Sequence, residues 1–228
     1  MKVPDNKEKN LKIALYKESQ FKTKLDKIHT NIKTLEIINN KKYHTKELHI
    51  NGDTIITLNK RNSIIGYSNN SIEVLDDWFE IASNNELENE LEWIVLPNVK
   101  KIGDHCLGNN IKLKFIGLSN VEIIGNCFFA WSKLENCLYL PKCREVGESF
   151  AYSSFIPEID LPEDEIVGDE FLCYVKGIKR IYLPKCIKKG KDFLYGTNHN
   201  KEVYAPLLEE QLKKEREEEI QKIYAKVI

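Results

Sequence analysis

The residues whose types could do chemistry are few and scattered. Five histidines stand at His29, His44, His49, His105 and His199, and six cysteines at Cys106, Cys127, Cys137, Cys143, Cys173 and Cys186. His44 and His49 lie in a strand-like stretch at an odd spacing, so they face opposite sides and do not share a metal. No CxxC occurs. Cys137 and Cys143 come near each other, but the periodic pattern described below puts Cys143 in a core column, where a thiol packs as a small hydrophobe. Cys106 beside His105 has the residue types of a nucleophile and its base. Adjacent side chains rarely aim together, however, and Cys106 also falls in a core column. The chain has no phosphate-binding glycine loop, no GxGxxG after a strand, no HExxH and no GxSxG. Nothing in these patterns supports catalysis, and neither a cofactor nor a metal is expected.

Composition narrows the remaining classes. The chain has 228 residues, 42% of them hydrophobic and 30% charged, with a formal net charge of −1. That is long and apolar enough to bury a core. The near-neutral total hides an asymmetry, because the first part of the chain is rich in lysine, from Lys2 through Lys46. A basic segment of this kind could meet nucleic acid or an anionic surface. The plainer reading, which we favour, is a helix with a lysine-rich polar face. The opening MKVPDNKEKN lacks the apolar run of a signal peptide, and no later stretch is long and apolar enough to span a membrane. The expected compartment is the cytoplasm, and the expected state of the cysteines is free thiol.

The elements that must position any site are set by an internal repeat. Leu96-Pro97, Leu118-Ser119, Leu140-Pro141, Leu161-Pro162, Leu183-Pro184 and Ala205-Pro206 recur about every 22 residues. Seven residues on comes a glycine: Gly103, Gly125, Gly147, Gly168 or Gly190. A β-branched residue precedes most of these (Ile102, Ile124, Val146, Val167), and Cys106, Phe128, Phe150, Phe171 or Phe193 follows. Each column has a physical reason. Pairs such as Ile94/Leu96, Ile116/Leu118 and Ile181/Leu183 point to one side of a strand. A proline after the last leucine removes a ladder donor and ends the strand. The glycine suits a turn with positive φ or a close backbone approach, and the phenylalanine fills the space between coils. One coil cannot bury these groups alone, but stacked coils can.

The pattern resembles the BspA-like subclass of leucine-rich repeats, with its short strand, "LP", "IG" and "F". That resemblance covers residues 91–206. It implies an α/β repeat: a right-handed solenoid with a parallel sheet on its concave face and helical flanks at both ends. Three coils depart from the pattern. The coil from Leu140 to Leu161 is one residue short, Asp164 stands where Val99, Val121, Cys143 and Cys186 stand elsewhere, and Lys189 replaces the β-branched residue before Gly190. The last lysine is expected near an end, where its charge reaches water.

The flanks complete the organisation. Phe21, Leu25, Ile28, Ile32 and Leu35 mark a helical face, so residues 1–40 read as an N-terminal helical segment. Residues 41–90 read as an irregular β-rich cap with strand-like runs at 47–50, 54–58 and 63–67, a turn at Asn51-Gly52, and a degenerate repeat that puts Phe79 in the phenylalanine column. Residues 207–228 read as a capping helix whose Leu207, Leu208 and Leu212 cover the last coil, with a second apolar stripe from Ile220 to Val227.

Residues alternating with the core positions face outward from the strands, and they form the candidate site. They are Trp93 with Val95, Phe115 with Gly117, Cys137 with Tyr139, Glu158 with Asp160, Arg180 with Tyr182, and Glu202 with Tyr204. The partner-binding set is Trp93, Phe115, Tyr139, Glu158, Asp160, Arg180, Tyr182 and Tyr204: aromatic at one end, acidic in the middle and mixed at the other end. Aromatic residues and arginine dominate binding hot spots, and bare rings on a surface mark interaction sites. The expected function is a non-enzymatic module that binds another protein, with no membrane association and with self-association through the terminal helices as a further expectation. The competing readings are nucleic-acid or anionic-surface binding through the lysine-rich segment, and an enzyme with an unrecognised site in residues 1–90.

Overall fold

The computed structural model describes residues 35–61, 63–77, 79, 90–198, 200–209, 211–215 and 217–218. Four strands open the described part: β1 (Leu35–Asn40), β2 (Thr45–Ile50), β3 (Thr54–Leu58) and β4 (Ile64–Asn69), each antiparallel to the next. The turn at Asn51-Gly52 holds both residues at positive φ, 53° and 79°, the chemistry a tight hairpin needs. The solenoid follows. Its strands come in chain order as β5 (Val74–Leu75), then β6 (Trp93–Val95) with β7 (Lys101–Ile102), β8 (Phe115–Gly117) with β9 (Ile123–Ile124), β10 (Leu138–Tyr139) with β11 (Glu145–Val146), β12 (Glu158–Asp160) with β13 (Ile166–Val167), β14 (Arg180–Tyr182) with β15 (Lys188–Lys189), and β16 (Glu202–Tyr204).

Each coil therefore gives one strand to each of two walls. The β5, β7, β9, β11, β13 and β15 strands form one parallel sheet. On the other wall, β4 pairs in parallel with β6 and β6 with β8, so the N-terminal meander and the first coils share a single sheet. A second sheet, β10-β12-β14-β16, continues the same wall. Before residue 80, β5 pairs with β7, and Phe79 is buried with its carbonyl accepting from Leu107 N at 3.1 Å.

The third wall is built without strands. In each coil every second residue takes a positive φ, as in His105, Leu107 and Asn109, or Cys127, Phe129 and Trp131. The amide donors point alternately to the next coil and the previous one: His105 N to Asn126 O at 2.7 Å, Leu107 N to Phe79 O at 3.1 Å, and Asn109 N to Ala130 O at 2.9 Å. A left-handed non-glycine residue costs roughly 1–2 kcal/mol. These residues persist there because hydrogen bonds from both neighbours overdetermine the conformation.

The core confirms the columns. Leu96, Leu118, Leu140, Leu161 and Leu183 are buried, as are Val99, Val121, Cys143 and Cys186. Phe128, Phe150, Phe171 and Phe193 stack ring on ring at 5.6, 5.5 and 5.6 Å. Burying one such side chain stabilises by about 1.5–3 kcal/mol, but only once the neighbouring coil is present to cover it.

Several expectations need correction. The coils join their strands by turns, and among the described residues the only helix is a short one at 209, 211–215 and 217–218, so the solenoid is a β-solenoid and not an α/β repeat. Leu35 lies on β1, not on a helix, because the β-branched Ile37 and Ile38 and the pairing of all six residues with β2 favour an extended chain. The rest of the N-terminal helical stripe, and the Ile220–Val227 stripe, lie outside the described residues. The glycine column has no positive φ; it serves close approach alone. A Cβ on Gly147 would come within 2.7 Å of the Gly125 carbonyl carbon in the coil before.

The C-terminal cap also differs in detail. Leu208 is fully buried and Leu212 packs on the core, but Leu207 is 58% exposed. Lys189 does not reach water. Its side chain is 7% exposed, its Nζ meets Glu215 Oε2 of the short helix at 2.6 Å, and it lies 5.7 Å from the Phe193 ring centroid.

Candidate functional site

The outward positions of the strand wall form two columns, and the strand register fixes which residues are neighbours. Trp93 pairs with Phe115 in one sheet. In the other sheet Tyr139 pairs with Asp160, Asp160 with Tyr182, and Tyr182 with Tyr204, while Glu158 pairs with Arg180 and Arg180 with Glu202. Paired residues sit about 4.8 Å apart, so six of the eight expected site residues share one continuous sheet. Trp93 and Phe115 stand on its neighbour.

The panel is therefore interrupted. No ladder joins β8 to β10 among the described residues. In other coils the carbonyl at this place accepts from two successive backbone donors, as Glu92 O does from Lys114 N and Phe115 N. Here Lys114 O accepts from the side-chain Nδ2 of Asn136 at 2.9 Å. The asparagine amide takes the acceptor that would otherwise open the next ladder.

The expected residues differ in how open they are. Phe115 (54%), Tyr139 (53%) and Tyr204 (48%) are the exposed rings. Trp93 is half-buried, with its indole against Gly66, where a Cβ would collide with the ring. Tyr182 is half-buried and stacks on Tyr204, with ring centroids 5.1 Å apart and planes 9° from parallel. Arg180 Nη2 donates to Glu158 Oε2 at 2.9 Å. That carboxylate raises the arginine pKa further, so the guanidinium stays charged.

Two groups are left chemically distinct. Asp160 is half-buried, and its Oδ1 is buried with no hydrogen-bond partner. Loss of hydration raises its pKa, against the lowering influence of Arg180. Cys137 is exposed, yet burial of its sulfur, with Asp160 and Glu158 nearby, pushes its thiol up to about 11. It is a poor nucleophile at neutral pH. Cys106, Cys143 and Cys186 are buried, as their core columns require. Among the described residues no group of three or more histidine, cysteine, aspartate or glutamate side chains is arranged to hold a metal ion.

Sequence reasoning missed two features of the turn wall. Trp131, Tyr152, Tyr174 and Tyr195 form an edge-to-face ladder with centroids 5.8, 5.6 and 5.5 Å apart. Their rings stand five or six residues after the column glycine, so no single column reveals them. Behind them runs a buried polar column, Asn110, Ser132, Ser154 and Thr197, seven residues after the glycine. Its hydroxyls are satisfied by backbone carbonyls: Ser132 Oγ donates to Leu107 O at 3.1 Å and Ser154 Oγ to Phe129 O at 2.7 Å.

A family model for the BspA type leucine rich repeat region matches residues 80–200 in six copies. No curated protein and no solved structure matches the chain. The matched span holds the same leucine, glycine and phenylalanine columns that build the stacked coils. The chain is a member of the BspA-type leucine-rich-repeat family.

Proposed function

We propose that this chain is a non-enzymatic recognition module that binds another protein through the strand-wall panel. One observation carries the reading: large rings at Phe115, Tyr139 and Tyr204 stand about half exposed on the two neighbouring sheets of one wall, with the paired charges of Glu158 and Arg180 on the second of them. Rings held by hydrogen-bonded strands lose little freedom on binding, which favours affinity. The charges supply orientation and rate more than strength. Free thiols at Cys127, Cys137, Cys143, Cys173 and Cys186 support a reducing compartment such as the cytoplasm. No helix among the described residues is long and apolar enough to cross a membrane.

The test is capture from the source cells on immobilised protein. Phe115→Ala with Tyr139→Ala is expected to abolish capture and leave the melting temperature within a few degrees, since exposed substitutions usually stay within about 0.5 kcal/mol. Capture that survives the double substitution would place the interface elsewhere.

A further inference from the structure

The half of the panel on β10 to β16 has a composition of its own. In one column Asp160 lies between Tyr139 on one neighbouring strand and Tyr182 on the other. In the second column Glu158 is already occupied by Arg180 at 2.9 Å. On this face Glu158, Asp160 and Glu202 stand against the one arginine, Arg180, so the panel here carries more acid than base. Asp160 Oδ1 has lost water without gaining a protein donor. A carboxylate with one oxygen buried and undonated is poorly stabilised, and a cation at its open side offsets part of that cost.

We propose that this half of the panel grips an arginine side chain on an extended segment of the partner protein, with the guanidinium between Tyr139 and Tyr182 and hydrogen-bonded to Asp160. The inference rests on the protein-binding reading above. The chemistry is specific. A guanidinium is planar, stacks on tyrosine faces and presents donors in a fixed fork that fits a carboxylate. Lysine offers a point charge and no plane. The raised pKa of Asp160, caused first by desolvation, marks the same shortage of donors and is reversed by a bound cation. Tyr204 backs Tyr182 at 5.1 Å and holds that wall of the clamp in place.

The probe is a blocked serine–threonine peptide with one central arginine, compared by calorimetry with the same peptide carrying norleucine or glutamate. The arginine peptide is expected to bind the full chain at least tenfold more tightly than either. Asp160→Asn, which keeps the shape and removes the charge, is expected to erase that preference. Tyr139→Leu, on the exposed side of the clamp, is expected to lower arginine affinity several-fold and gives an independent reading if the first variant folds poorly. Equal binding of the three peptides, or a preference that persists in both variants, overturns the proposal. A protein that captures its partner but shows no arginine preference overturns this inference alone. Capture by the Phe115→Ala, Tyr139→Ala variant overturns the reading beneath it.

Discussion

Asp164 is the residue least at home in its surroundings. It occupies a core column between Cys143 and Cys186, is fully buried, and neither carboxylate oxygen has a partner. Burial, with Glu145 and Glu165 adding repulsion, pushes its pKa up to about 8. The folded chain therefore holds a proton that the unfolded chain releases near 4. Between those values the unfolded state binds fewer protons, so stability falls as pH rises from about 4 to about 8. The loss is on the order of 5 kcal/mol over the whole window. Asp164→Val restores the column residue and is expected to melt several degrees higher at pH 8, with a flatter dependence between pH 5 and 8. Parallel pH curves for the two proteins would show that Asp164 is not the titrating group. Cys137 offers a second test at this scale. With a thiol pKa of about 11, its labelling rate is expected to climb about tenfold per pH unit through pH 9, where an ordinary thiol has levelled off. Cys106, Cys143 and Cys186 are expected to label only after denaturation. A plateau for Cys137 near pH 8.5 would mean that its surroundings do not hold the proton on.

At the scale of the element, strand alternation makes the sharpest prediction. Leu118 is 1% exposed and Phe115 is 54% exposed, although they lie three residues apart. Leu118→Ala is expected to cost about 2–5 kcal/mol, because the coils on either side cannot close the space. Phe115→Ala is expected to cost about 0.5 kcal/mol or less. Denaturant melts measure both, and equal losses would reverse the inward and outward assignments. The same alternation explains what was legible from sequence. Leucine, glycine and phenylalanine columns are read by residue type, and period alone places the outward residues between them. The break after β8 was not legible, since an asparagine side chain that mimics a backbone donor looks like any polar residue. Nor was the alternating backbone of the turn wall. Leucine, phenylalanine and tryptophan occupy positive φ there, and no residue preference announces it. Trp93 was read correctly as outward, but its seat on Gly66 comes from a strand more than twenty residues away.

The whole molecule is a stack in which each coil is completed by its neighbours. At one end the stack runs into an antiparallel meander through β4 and β6. At the other, Leu208, Leu212 and the Lys189–Glu215 pair close the last coil. The departure at Lys189 is tolerated because Glu215 covers it from outside. Of the expected helical flanks, the described residues hold only the short helix at 209, 211–215 and 217–218. At the N-terminal end the isoleucines of β1 answer to a partner strand, which a period in one segment does not reveal.

The direction of the ladders has a mechanical consequence. In all three walls the hydrogen bonds run from coil to coil, along the axis of the stack. A force that draws the two ends of the chain apart does not shear many bonds at once. It falls on the outermost coil, whose bonds yield together before the next coil is loaded. The chain is then a zipper, giving way in small steps at low force, each releasing roughly 70 Å of length for a coil of about 22 residues. Single-molecule stretching is expected to show a train of such steps, and one large rupture of the full length would mean that the coils do not part in turn.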